Sequence, residues 1–121
     1  MKHQKKGRIF GRERNQRNAL MKTLLGSLIM HEHMATTEAK AKEVKNFIDQ
    51  LVNKAKVARK DEDRKVALIR DLRKHIPLMA VKKLMGDFTN RFETRQSGYV
   101  RVIKTEARKS DSARMAIIEF V

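Results

Sequence analysis

From Leu20 the large apolar residues recur three and four positions apart, as Leu20, Leu24, Leu25, Leu28 and Ile29. That is the period of a helix lying on a core. Arg14, Arg17 and Lys22 stand opposite this stripe, so the spacing predicts a helix from about Glu13 to between His31 and His33. Gly26 inside it lowers helix propensity by about 1 kcal/mol and marks a candidate close contact between helices. Met34–Thr36 reads as a short extended stretch, and Thr37, followed by Glu38, as the N-cap of a second helix. There Val44, Phe47, Ile48, Leu51, Val52 and Ala55 fit the helical template, with Lys45, Asn46, Asp49 and Lys56 on the remaining surface. Asp61, Glu62 and Asp63 suit the positive end of a third helix, carried by Val66, Ile69 and Leu72 and ended before Pro77. Pro77 opens a fourth, whose stripe is Val81, Leu84, Met85, Phe88 and Phe92. Met79, Met85 and Met115 read as core filling.

Past Arg95–Gly98 the helical period stops. Tyr99–Glu106 and Arg114–Val121 read as two strands around a loop at Lys109–Ser112. A lone hairpin is marginal in water, so this one is expected to pack on the helices or to pair with Met34–Thr36. The expected fold is therefore α+β: about four helices packed on a small sheet made of the short strand after the first helix and the C-terminal hairpin. Residues 1–12 are assigned to a basic extended N-terminal arm and residues 13–121 to one globular domain.

Charge decides what such a chain meets. Its 121 residues hold 29 Lys and Arg against 14 Asp and Glu, a formal net charge of +15. Met1 to Lys22 alone carry eight basic side chains against the single acid Glu13. With Ile9 and Phe10 as nearly its only large apolar groups, the arm cannot bury enough surface to fold alone. Counterion release from nucleic-acid phosphates would supply the free energy to order it. Lysines and arginines at Lys2, Lys5, Lys6, Arg8, Arg12, Arg14 and Arg17 suit phosphates on both sides of an extended backbone, and Gly7 and Gly11 allow close approach or positive φ. The alternative is a solvated tail. Thr36, Thr37, Lys40 and Lys42 form a second candidate, a helix start that offers N–H groups and charge to a phosphate, against ordinary capping with solvated lysines. Tyr99 and Arg101 share one strand face; the tyrosine would stack on a base beside the arginine, or pack with Ile103.

Other chemistries find little support. There is no cysteine, and His31 and His33, two apart at a helix end, lack a third and fourth ligand, so neither a metal nor a cofactor is expected. No nucleophile elbow or phosphate-cradling glycine loop is present, so an enzyme with a small-molecule substrate is not expected. The apolar run Leu24–Met30 is too short to span a bilayer. An organellar transit peptide is disfavoured by the serine-poor, glycine-broken start, and a membrane-surface role for the first helix by its use as core.

Several segments together resemble one family. Met1-Lys2-His3-Gln4-Lys5-Lys6-Gly7-Arg8 with Gly11-Arg12, the stretch His31 to Glu43 containing Thr36-Thr37-Glu38-Ala39-Lys40-Ala41-Lys42, Gly98-Tyr99 with Arg101, and the tail Met115 to Val121 are similar to the bacterial large-subunit ribosomal protein seventeen family. Departures are local: Ser97-Gly98 stands for Gly-Gly, Val100 for threonine, Arg114 for proline and Gln16 for histidine. The resemblance implies a structural constituent of the large ribosomal subunit, cytoplasmic on the ribosome. It would bind large-subunit (23S-type) ribosomal RNA near the nascent-chain exit region, beside neighbouring large-subunit ribosomal proteins. His3 and the arm residues, the helix start at Thr37 and the Tyr99–Arg101 strand would be its RNA contacts. A DNA-binding or nucleoid-associated protein is the alternative, though no helix-turn-helix signature supports it.

Overall fold

Glu13 turns the chain into its first helix, with Gln16 Oε1 accepting from the Glu13 backbone N–H at 3.4 Å. In the computed structural model, which describes residues 7–121, the order is α1 (Arg14–His31), β1 (His33–Thr37), α2 (Glu38–Lys60), α3 (Glu62–His75), α4 (Leu78–Met85), a 3₁₀ helix (Asp87–Phe92), β2 (Val100–Lys104) and β3 (Met115–Phe120). The α+β expectation holds. The strand after the first helix pairs with the C-terminal hairpin in an antiparallel sheet of order β1-β3-β2. Ala35 lies opposite Ile117 and Ile117 opposite Ile103, which fixes the register across all three strands.

Alternation along β3 turns Ala116, Ile118 and Phe120 inward onto α2, which packs against every strand. The core continues from there through Val44, Ile48 and Val52 of α2 to Leu28 and Ile29 of α1 and Leu84 of α4. Thr37 caps α2, its Oγ1 accepting from Lys40 N–H at 3.4 Å, and Asp61 caps α3 by accepting from Asp63 N–H at 3.1 Å. Both caps satisfy donors that a helix start leaves without partners.

Gly26 is the close contact that its position suggested. A Cβ there would lie 2.7 Å from Cδ and 2.9 Å from Cγ of Pro77, so α1 meets the α3–α4 junction almost backbone to ring. A proline ring cannot rotate aside. Gly26→Ala is expected to lose about 1 kcal/mol net, the overpacking cost exceeding the gain in helix propensity. Gly26→Val should lose about 3 kcal/mol. Urea denaturation midpoints measure both, and an unchanged midpoint for Gly26→Val would mean that α1 shifts freely over Pro77.

Five positions depart from the sequence pattern. The fourth helix stops at Met85, and Phe88 and Phe92 belong to the separate 3₁₀ helix. There the Thr89 hydroxyl donates to Leu84 O at 3.1 Å, with Gly86 O at 3.3 Å, meeting carbonyls that a continuing α-helix would have used. Val66 is 61% exposed, Met79 59% and Phe47 42%, so these three apolar residues lie outside the core.

Glu32 ties the ends together. It takes the left-handed conformation after α1 (φ 65°), and its carbonyl accepts from Phe120 N–H at 3.0 Å. Its carboxylate meets Lys83 at 3.3 Å and also Arg91, which donates in turn to Val121 O at 3.0 Å. Burial pushes the Glu32 carboxyl up, but the hydrogen bonds and charges of Lys83 and Arg91 outweigh it and hold the group below its ordinary value. A hydrogen bond from Lys42 does the same for Glu38, and one from Lys54 for Asp71. Because these folded values lie below the unfolded ones, the unfolded chain binds more protons in acid. The stabilisation is complete above the ordinary carboxylate range of about 4 and is lost as pH falls through the lower folded values. Thermal midpoints should therefore drop below about pH 4, and Glu32→Gln should lower the neutral midpoint while flattening that drop.

Candidate nucleic-acid interface

Residues 7–12, the described part of the expected arm, lie against α2 through Arg8. A turn closes at Phe10–Gly11, with Arg12 N–H donating to Ile9 O at 3.2 Å and the Arg12 guanidinium to Phe10 O at 2.7 Å. Gly11 sits at φ +61°, where a side chain would be strained, so the backbone favours glycine there. Arg8 reaches Glu43, a buried carboxylate on α2, at 3.1 Å. The Arg8 side chain stays 43% exposed, so its Glu43 contact anchors it and leaves part of the guanidinium facing out. Lys2, His3, Lys5 and Lys6 lie outside the described residues.

Beside this anchor the helix start and the hairpin loop converge. Arg8, Thr37, Lys42 and Arg114 line one concave surface at the first turn of α2, together with Glu38. Glu38 pairs with Lys42 at 2.8 Å and with Lys104 at 3.6 Å, so the single acid of the concavity is already neutralised. Lys40 and Thr36 are half-buried beside it, and Thr36 lies opposite Ala116 in the sheet. Elsewhere, the first turn of α1 carries Arg14, exposed, and Arg17, half-buried, and contains no acid. Cations at the positive end of a helix dipole strengthen its pull on an anion.

The strand candidates separate. Arg101 is exposed on the outer face of β2, where Glu119 accepts from it at 2.7 Å. Tyr99 is fully buried and precedes the strand, so it cannot stack on a base, which corrects the expectation of an exposed ring. Gly98 (φ +67°) turns the chain, and Asp49 then accepts from the Gly98 and Tyr99 N–H groups at 3.2 and 3.3 Å. The tyrosine is thereby folded inward, its ring 5.3 Å from Phe92 and its hydroxyl bonded to Asn53. Nor does it pack in register with Ile103, which stays on the outer face.

Lys56 is likewise drawn off the surface. Its ammonium donates to Phe92 O at 2.8 Å, to Arg95 O and to the Tyr99 hydroxyl at 3.2 Å, using all three hydrogens. Two groups of cationic residues escaped the sequence reading. Arg114 joins the concavity only because the hairpin returns to α2, as Glu38 N–H bonding to Arg114 O shows. On α3, Arg70, Arg73 and Lys74 are exposed, and the acid among them, Asp71, pairs with Lys54 of α2. Their three-residue spacing was visible in the sequence; the removal of the acid between them was not.

Comparison with known proteins gives one consistent result. Residues 20–121 match the family described as Ribosomal protein L17. The chain is 48% identical to the large ribosomal subunit protein bL17 of Thermodesulfovibrio yellowstonii over 122 residues, covering 100% of this chain and 87% of that protein. It is 41% identical to the bL17 protein of Thermomicrobium roseum, covering 100% of this chain and 99% of the relative. The bL17 protein of Enterococcus faecalis is 37% identical, with 94% and 97% covered.

Proposed function

The chain belongs to the ribosomal protein L17 family, and from that membership we propose that it is built into the large ribosomal subunit, where it binds the subunit's RNA and stabilises its tertiary fold. Its role is structural, not enzymatic, and its place is the cytoplasm, on the ribosome. Residues 1–12 act as a basic arm and residues 13–121 as the body that docks it, near the region where the nascent chain leaves. The observation that carries the RNA reading is the convergence of Arg8, Lys42 and Arg114 around the capped start of α2. Guanidinium and ammonium groups at the positive end of a helix dipole meet phosphate oxygens without reading bases. The Arg8–Glu43 anchor fixes where the arm leaves the body, so its lysines enter RNA from a set point.

Sedimentation of the native protein through a sucrose gradient after a high-salt wash tests this. Stoichiometric recovery with the large subunit is the expected outcome. Release to the top of the gradient, or travel with chromosomal DNA, would overturn it and favour the nucleoid-associated alternative.

A further inference from the structure

A groove of about 420 Å³ runs between the first half of α1, the middle of α2 and the end of α3. Its walls follow one helical face from each partner, Asn18, Lys22 and Leu25 on α1 against Phe47, Gln50 and Leu51 on α2. The floor is apolar, through Met21, Leu25 and Leu51. One end is closed by Lys74 and His75, and none of the lining residues is acidic. The exposed ring of Phe47 stands in this groove, 42% open to solvent on a helix whose other apolar residues are mostly buried.

Three features of the groove match one kind of ligand. An open aromatic face over an apolar floor suits a flat, unstacked base. The amides of Asn18 and Gln50 each offer both a donor and an acceptor, the groups a base edge presents. Lys22 and Lys74 at the rim supply charge for the flanking phosphates, while Lys54 is partly offset by Asp71 at 2.5 Å. A protein partner seated here would need acidic groups placed to meet both Lys22 and Lys74, whereas a nucleotide carries its own negative charge. We infer that this groove holds an unpaired nucleotide of RNA, its base stacked on Phe47 and its phosphates held by Lys22 and Lys74. The inference rests on the reading of the chain as an RNA-binding protein, and adds a second contact separate from the arm and the α2 start.

The test is equilibrium binding of the full chain to single-stranded oligouridylate and to duplex RNA of equal length, each at several salt concentrations. Phe47→Leu keeps the apolar bulk and removes the π face; Phe47→Tyr keeps both. Phe47→Leu should weaken oligouridylate binding by about 5- to 150-fold, the stacking of one base, and leave the duplex unaffected. Phe47→Tyr should bind as the parent does. Lys22→Gln and Lys74→Gln should each make the single-strand salt slope shallower by about 0.7. Circular dichroism of each variant checks that it is folded before binding is compared. Equal oligouridylate binding by the parent and Phe47→Leu would overturn the groove and leave the ribosomal reading standing. Failure of the parent to bind either RNA would overturn both. Should Phe47→Leu keep its oligouridylate affinity yet drop out of purified large subunits, a protein occupies the groove and the nucleotide inference falls.

Discussion

Tyr99→Ala is expected to lower the unfolding free energy by about 3–5 kcal/mol, the usual cost of deleting a large buried aromatic. Small domains hold only about 5–15 kcal/mol in total, so this one change would remove a large part of it. The ring is part of an aromatic cluster in which Phe92 lies edge-to-face at 5.3 Å from Tyr99 and tilted at 5.6 Å from Phe120, with Phe88 edge-to-face at 5.0 Å from Phe120. That cluster joins the 3₁₀ helix to the hairpin. The hydroxyl adds a second layer, since Lys56 donates to it and Asn53 accepts from it. Tyr99→Phe separates the two layers. It keeps the cluster and deprives Lys56 and Asn53 of a partner, so it should cost about 1–3 kcal/mol. Urea denaturation monitored by circular dichroism measures both variants. A loss below about 0.5 kcal/mol for Tyr99→Ala would mean that the ring sits at the surface, available to RNA after all.

Deleting residues 2–6 is expected to weaken RNA binding strongly while leaving stability within about 0.5 kcal/mol of the parent. The deletion removes Lys2, Lys5 and Lys6 and spares Arg8, Gly11 and all of α1. Each phosphate contact contributes about 0.7–0.9 to the slope of log affinity against log salt, so three lysines should make that slope shallower by about 2–3. Affinity at low salt falls with it, by well over an order of magnitude, and the difference narrows as salt rises. A longer deletion, residues 2–12, behaves differently. It also removes Arg8 and leaves the Glu43 carboxylate buried without that guanidinium, so it should cost about 1–3 kcal/mol of stability as well. Filter binding across a salt series and denaturation of the same proteins distinguish the two deletions. An unchanged slope after removal of residues 2–6 would show that the body, and not the arm, makes the main electrostatic contact.

By itself the sequence determined the elements that rest on local rules. The three-to-four-residue period placed α1, α2 and α3. Thr37 and Pro77 marked helix starts through capping and fixed φ, and Gly26 flagged a close approach because glycine is otherwise costly inside a helix. The basic start and the Thr36–Lys42 segment pointed to phosphate for the same kind of reason, since charge and helix ends act on what is nearest. Tertiary structure decided what depends on partners far along the chain. Tyr99 is buried because Asp49, fifty positions earlier, captures its backbone, and Lys56 leaves the surface for carbonyls near residues 92 and 95. Arg8 became an anchor through Glu43, and Arg114 joined the α2 start through the return of the hairpin. Phe47 satisfies the helical stripe yet stays exposed, because α1 meets Pro77 through Gly26 and leaves a groove over the middle of α2. Periodicity states which face of a helix is apolar. How much of that face is covered depends on where the next helix crosses it, and the crossing is set by contacts between residues that no local window contains.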